Sequence, residues 1–361
     1  MIAEVIRSRD EFAMLAPRWA ALAMAGGVRT PYQSYVWLDH WLQHRSGGVE
    51  PFVLVLKNGD TIAPFGRVTR AGVRILRLLG TPDSDYAGLV TTRSLDEAWE
   101  CVARALAEAR REFDLLHLHS VREREPIVVA LGRWLGGGGR ERPYELCPWI
   151  PTDQPWEELL AHHGSDFRKM LRRWKRRMEE LGELSVERVR PPLTEVLLDE
   201  LVDVERGSWK WEQGNSSFSP GSSRNLLEAV LRDQRTEATV WLLRVSNRLV
   251  AYALVLIGKD RWYYYLSSFR KETANAGSFL LGRIVEAACL EGCVALELLR
   301  GDQHYKRAWT ELSDTVHEVI WPVNLRGRAA SLAFIARWRS ARSPRLSRIR
   351  AHLFGVGDRR R

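Results

Sequence analysis

Apolar residues near the start of the chain recur every three or four positions. Phe12, Leu15, Trp19 and Leu22 share one face, which predicts a helix capped by Asp10 and running to about residue 25, after a short strand over 2–7. Pro31 opens a second helical stripe of Tyr35, Leu38, Trp41 and Leu42. The pattern then becomes strand-like over 52–56, 61–69 and 73–79, with Asn58-Gly59 as a hairpin turn. A helix over 95–111 and a buried strand over 115–119 follow. The four glycines at 136–139, between Arg133 and Arg140, lack the Lys-Ser/Thr of a phosphate loop and the spaced glycines of a dinucleotide turn. They read as a surface turn. The proline-flanked stretch 148–155 reads as a linker, giving domains at 1–150 and 151–323 and a tail at 324–361.

The second half begins with a helical stripe of Phe167, Met170, Leu171, Trp174 and Met178, interleaved with seven cations over 168–177. A strand over 184–188 and helices over 195–209 and 218–232 lead to an antiparallel meander at 239–245, 249–258 and 261–269. A helix over 277–292, a buried strand over 294–299 and a last strand over 314–321 complete it, and the tail from 324 reads as helix broken at Pro344. The sum is an α/β chain of mixed, mostly antiparallel sheets flanked by helices.

Two places carry chemistry. The turn from Arg270 to Ser278 delivers the chain into a helix, whose free N–H groups and dipole suit an anion. Asn275, Ala276, Gly277 and Ser278 let a pyrophosphate approach the backbone, with Arg270 or Lys271 adding charge. The buried strand then ends in Arg300-Gly-Asp-Gln-His-Tyr-Lys306. Asp302 or His304 is positioned to take a proton from an amine, Tyr305 to protonate a leaving thiolate, and Lys306 to bind an anion. Glu205 and Trp209, one helical turn apart, are expected on one face lining the cleft between the domains.

Charge changes the picture in one respect. The formal charge is +9, but the segment from Arg326 holds eleven arginines against the single Asp358, a net of +10, so the rest sums to −1. A body so near neutrality argues against DNA binding. The tail's Leu332, Phe334, Ile335 and Trp338, then Leu346, Ile349, Leu353 and Phe354, suit an anionic membrane surface or packing on the body. Four cysteines without histidines at ligand spacing point to free thiols in a reducing compartment and to no metal. The first residues lack the pattern of a signal peptide and no apolar run reaches spanning length, so the expected location is cytoplasmic, with the tail peripheral to the inner membrane.

Short motifs in a fixed order resemble the cellulose-biosynthesis CelD-type acetyltransferases of the GNAT N-acetyltransferase superfamily, which is similar to the FemABX aminoacyl transferases. They are Tyr35-Val-Trp37 with Trp41, Leu79-Gly80 with Asp85-Tyr86, Asp166-Phe-Arg168, Glu205 through Trp209, Ala276-Gly-Ser278 with Leu280-Leu281, and Gly301-Asp302 with Tyr305-Lys306 and Trp309. The resemblance spans roughly residues 1–322. It implies two tandem acetyltransferase-like (GNAT) domains, the first degenerate, plus the basic helical tail.

The resemblance also implies acyl transfer from acetyl-CoA or another acyl-CoA, as cosubstrate and not as a tightly bound cofactor, to an amine-bearing small molecule or glycan precursor. Envelope polysaccharide or cell-wall metabolism is the expected setting. Asp85 and Tyr86 are carried as acceptor-binding residues, and Arg168 and Arg172 of the cationic helix as substrate contacts. Strand 249–256 is expected to splay from its neighbour and bond the donor's pantetheine arm. The 275–278 turn lacks the first glycine of the superfamily's phosphate loop, which leaves an aminoacyl-tRNA donor, and hence tRNA as a partner, open. A fold kept without catalysis, as a scaffold of polysaccharide assembly, is the rival reading.

Overall fold

The computed structural model describes residues 2–123 and 125–341. The first half contains β1 (Ala3–Ile6), α1 (Arg9–Met14), α2 (Ala16–Met24), a 3-10 turn (Pro31–Gln33), α3 (Tyr35–His44), β2 (Glu50–Leu56), β3 (Thr61–Arg70), β4 (Val73–Leu78), β5 (Val90–Thr91), α4 (Leu95–Glu108), β6 (Leu115–Arg122), α5 (Ile127–Leu135) and β7 (Arg140–Pro151). The second contains α6 (Trp156–His162), α7 (Ser165–Glu179), β8 (Leu184–Val189), α8 (Glu195–Arg206), α9 (Trp209–Glu212), α10 (Ser222–Arg232), β9 (Ala238–Val245), β10 (Arg248–Ile257) and β11 (Arg261–Phe269). Then come α11 (Ala276–Leu290), β12 (Ala295–Glu297), α12 (His304–Arg307), β13 (Ser313–Pro322) and α13 (Leu325–Ala341).

Several boundaries differ from the sequence reading. The helix expected over 10–25 is two helices, and its cap is Ser8, which forms a capping box with Glu11. The break falls at Leu15, two residues before Pro17, which has no N–H to donate. Helix α5 and the first part of β7 were not anticipated. The glycine run joins them: Gly136 ends α5 at φ 79, and Gly139 lies under Trp321, whose ring would stand 1.9 Å from an added Cβ. The stretch read as a linker is strand up to Pro151, because Trp149, Ile150 and Pro151 pair with β12.

The two halves repeat one succession. A three-strand meander (β2–β4, β9–β11) leads to a helix (α4, α11), a strand parallel to the last meander strand (β6, β12), a short helix (α5, α12) and a final strand (β7, β13). The final strands are exchanged. β13 pairs with β6 of the first half, β7 pairs with β12 of the second, and β7 and β13 pair with each other. One path of hydrogen-bonded strands therefore crosses the molecule, in the order β1-β2-β3-β4-β6-β13-β7-β12-β11-β10-β9-β8.

Three cores hold these sheets. Trp99, Val102 and Leu106 of α4 cover one face of the first sheet, and Leu280, Ile284 and Val285 of α11 cover one face of the second. The remaining faces share a core that draws on Trp19, Trp37 and Trp41 from one half and Leu201, Tyr252 and Tyr263 from the other. Burying each such side chain contributes roughly 1.5–3 kcal/mol. The opening of the tail packs on the body: α13 sets Phe334 against His117, with ring centroids 4.4 Å apart. Pro344, Leu346, Ile349, Leu353 and Phe354 lie outside the described residues.

Candidate functional site

The site begins where two strands part. β11 and β12 run parallel and pair only at Arg261–Ala295, Trp262–Leu296 and Tyr263–Glu297. Beyond this point β11 stays on β10, while β12 stays on β7 through Leu298 N–H to Pro148 O and Gly301 N–H to Leu146 O. A bulge helps part them. The β10 register jumps from Leu254–Leu266 to Val255–Tyr264, leaving Tyr265 as the extra residue, and a bulge bends and twists its strand. The expected splay of 249–256 is thus corrected: β10 is paired on both sides, and the strand with the open edge is β11.

Lysines meet both open edges, one buried and one half-buried. Lys306, 3 % exposed on α12, donates from Nζ to Leu299 O at 2.9 Å and Arg300 O at 2.7 Å. Burial lowers its pKa to about 8, against the nearby Asp85 carboxylate. Leu299 holds a φ of 63, a costly conformation for a residue with a Cβ, and Lys306 takes up the carbonyls there. On the other edge, Lys210 of α9 donates to Ser267 O, and burial pulls its pKa down as well.

Behind the parting point lies a carboxylate that nothing in solvent reaches. Glu297 is 0 % exposed and accepts from Tyr86 Oη at 2.7 Å and Arg261 at 2.8 Å, with Arg122 at 3.4 Å. Arg122 also lies over the Tyr86 ring, 4.1 Å from its centroid. The Tyr86 phenol is raised by burial and by the adjacent Glu297 charge. One residue away, Asp85 accepts from Arg300 Nε, and Arg300 reaches on to Pro82 O at 2.7 Å. Asp85 and Tyr86 of the first half are thus tied to both ends of the β12 tip.

The other residues singled out from sequence are more scattered. Asp302 is exposed and paired with Arg307, which holds its carboxyl below the usual range. His304 is exposed at the start of α12, and Tyr305 is 39 % exposed beside Tyr264. Arg270 donates to Leu249 O and pairs with Asp203, so its guanidinium staples β10 to α8. Asn275 takes the left-handed cap position at φ 75 without a side-chain cap, and α11 has no acid in its first turn. Gly277 leaves room for Phe269, whose ring would lie 2.7 Å from an added Cβ.

On α7, Arg168 donates to Leu160 O and His163 O, closing α6, while Arg172 is exposed. Glu205 and Trp209 do not share a helix face, because the chain breaks at Gly207-Ser208 between α8 and α9. Glu205 is instead a core carboxylate that accepts from Tyr252 Oη and Ser216 Oγ, both at 2.6 Å.

Sequence reasoning missed Glu297, Arg122 and Lys210. Glu297 had a signal, a lone acid in the apolar run Val-Ala-Leu-Glu-Leu-Leu; the other two had none. A metal-capable group exists elsewhere, under α13: His117, His119 and Glu318 bring ligand atoms within 4.8 Å of one another. Arg142 holds the other Glu318 oxygen, and burial keeps His119 neutral, with a pKa of about 3.

Residues 165–307 match the family described as Acetyltransferase (GNAT) domain. No curated protein matches the chain. The fold is similar to that of L-PGS from Bacillus licheniformis, at 13% identity and TM-score 0.60 over 90% of this chain and 97% of that one. It is also similar to FemX, at 11% identity and TM-score 0.60 over 83% and 93%. The C-terminal DUF2156 domain of a protein from Agrobacterium fabrum gives 15% identity and TM-score 0.59 over 89% and 95%. The segment that matches the family holds the parted strands, both lysines and the α11 turn. It carries the GNAT acyltransferase fold, with a FemABX-like structural kinship. Among the described residues no helix is long and apolar enough to cross a membrane.

Proposed function

We propose that this chain, whose residues 165–307 carry the GNAT fold, is an N-acyltransferase that moves an acyl group from acyl-CoA to an amine. The observation that carries the reading is the wedge opened by β11 and β12 after three paired residues, with an uncapped helix start at its end. A pantetheine arm bonds to the free edge of β11 in the wedge, and the pyrophosphate takes the N–H groups of Ala276, Gly277 and Ser278. Lys306 and Lys210 bring positive charge to the two walls, where an oxyanion forms as the amine attacks the thioester.

The new C–N bond forms as the C–S bond breaks. The amine proton passes to a base, for which His304 is the exposed candidate, and the thiolate leaves to be protonated, with Tyr305 as the nearby phenol. Asp302 is the weaker base, because its pairing with Arg307 lowers its basicity. Positioning supplies much of the rate. Asp85 and Tyr86, tied to the β12 tip, order the acceptor side. An amine-bearing glycan precursor of the cell envelope, the CelD-type role, is the acceptor class we assign. We read the chain as two halves divided near residue 150, each completed by the other's last strand.

The exposed Arg172, Arg173 and Arg177 on α7, together with the FemX-like fold, favour a second donor, aminoacyl-tRNA. Thermal melting with each donor decides between them. Acetyl-CoA should raise the Tm saturably, and free thiol should appear when an amine is added. A shift with charged tRNA alone moves the assignment to the second donor, and no shift with either refutes transferase function.

A further inference from the structure

We infer that the groove between α2–α3 and β10 binds a single-chain anionic amphiphile, its tail along the groove and its acid group at Arg29. The groove has a volume of about 710 Å³, within the range of roughly 300–1,000 Å³ usual for small-molecule sites. Trp19, Ala20, Val28, Tyr35, Val36 and Ile257 supply a mostly apolar wall. It is open to solvent along α2, where Met24 is 85 % exposed.

Charge selects the occupant. Arg29, Arg235 and Lys259 stand in the lining against Glu237. Arg235 is held by Asp233, and Glu237 offsets Lys259 in formal charge. Arg29 is exposed and its guanidinium donates to the Arg93 carbonyl; its charge favours the ionised Glu125 carboxyl, with which, among the described residues, it forms no ion pair. Arg29 and Thr30 also line a second, polar cavity of about 370 Å³, where Arg122 and Arg261 stand beside Glu123, Glu125 and Asp314. An apolar trough lined by Arg29, Arg235 and Lys259 against Glu237 complements a long chain with one acidic end. It does not complement a cationic or zwitterionic lipid.

The groove also communicates with the wedge. Trp37 lines it, and the Trp37 ring meets Tyr265, the bulged residue of β11, edge-on at 5.3 Å. It opens on the sheet face opposite α11, so an occupant there does not compete with a donor on the α11 turn.

The test is calorimetric titration of the full chain with dodecanoate, dodecanol and dodecylammonium below their aggregation limits. Wild-type protein should bind one dodecanoate saturably. Ala20→Trp, an exposed position that puts an indole in the trough, should weaken dodecanoate and dodecanol at least tenfold. Arg29→Gln should weaken dodecanoate about tenfold and leave dodecanol unchanged. Both variants should keep the wild-type melting transition, which separates lost binding from lost folding. Unchanged binding in Ala20→Trp, or dodecylammonium binding as tightly as dodecanoate, overturns the inference. So does a concentration-dependent dimer abolished by Ala20→Trp, which would make the groove a contact between copies.

Discussion

Each half of this molecule has a pair of parallel strands that part and a helix that starts nearby, but the two places have been finished differently. In the first half β4 and β6 pair only at Ile75–Leu115 and Leu76–Leu116, and the chain then fills its own gap: Ala87 N–H donates to Ser120 O. Helix α4 starts on Ser94, whose side chain accepts from Glu97 N–H, with Asp96 and Glu97 in the first turn. Its dipole is answered from within, and a bound anion would meet two carboxylates. In the second half lysine side chains meet the gap, and α11 starts with neither a side-chain cap nor an acid. One scaffold thus gives a sealed wedge and an open one. The difference lies in a few residues at the strand tip and the first helical turn.

The contrast can be tested at several strengths. The largest effect is expected at Glu297, whose removal leaves Arg122 and Arg261 without their shared carboxylate. Glu297→Ala should cost about 3 kcal/mol in urea denaturation, and a loss under 1 kcal/mol would show that the open wedge does not depend on this anchor. Lys306 comes next. A base whose folded pKa, about 8, lies below its unfolded value near 10.4 weighs against the fold while charged, and that weight lifts as pH rises between the two values. Wild-type stability relative to Lys306→Met should therefore grow by about 2 kcal/mol from pH 8 to 10.5. A flat difference would mean the lysine is solvated. The smallest effects come from exchanging the helix starts. Ser278→Asp should weaken acyl-CoA binding about tenfold with the fold intact, whereas Asp96→Asn with Glu97→Gln should cost only about 0.3–1 kcal/mol of stability and leave donor binding alone. Equal donor binding in Ser278→Asp and wild type would remove the α11 turn from the site.

The meander, α11 and the strand after it were legible because their apolar positions repeat with the period of one element each. The Gly301-to-Lys306 loop was legible because polar groups crowd a strand end. The splay was expected on the wrong strand, since a bulge at Tyr265 leaves no trace in a run of three tyrosines that suits an unbroken strand equally well. Glu205 and Trp209 looked like one helix face because four residues make a turn, and Gly207 alone gave little warning of a break. The exchange of β7 and β13 was invisible for a deeper reason. Alternation tells a strand which face is buried, but not which neighbour it will take, and in β7 the charged run Arg140-Glu-Arg142 with Glu145 hid even the strand. Lys210 shows the same limit at the scale of a side chain: its partner is a backbone carbonyl, which has no sequence signature.

The exchange sets a timetable for synthesis. Strand β6 ends at Arg122, but its partner begins at Ser313, roughly 190 residues later in the chain. At about 5–20 residues per second, a ribosome leaves that edge of the first half unpaired for roughly 10–40 s. For that interval the nascent first half presents a row of free N–H and C=O groups beside the face that α4 covers, a template for any other chain in the polysome. The strand that closes it is the last among the described residues. Emergence of β13, more than the synthesis of either half alone, is therefore the event that turns this polypeptide from a sticky intermediate into a folded protein.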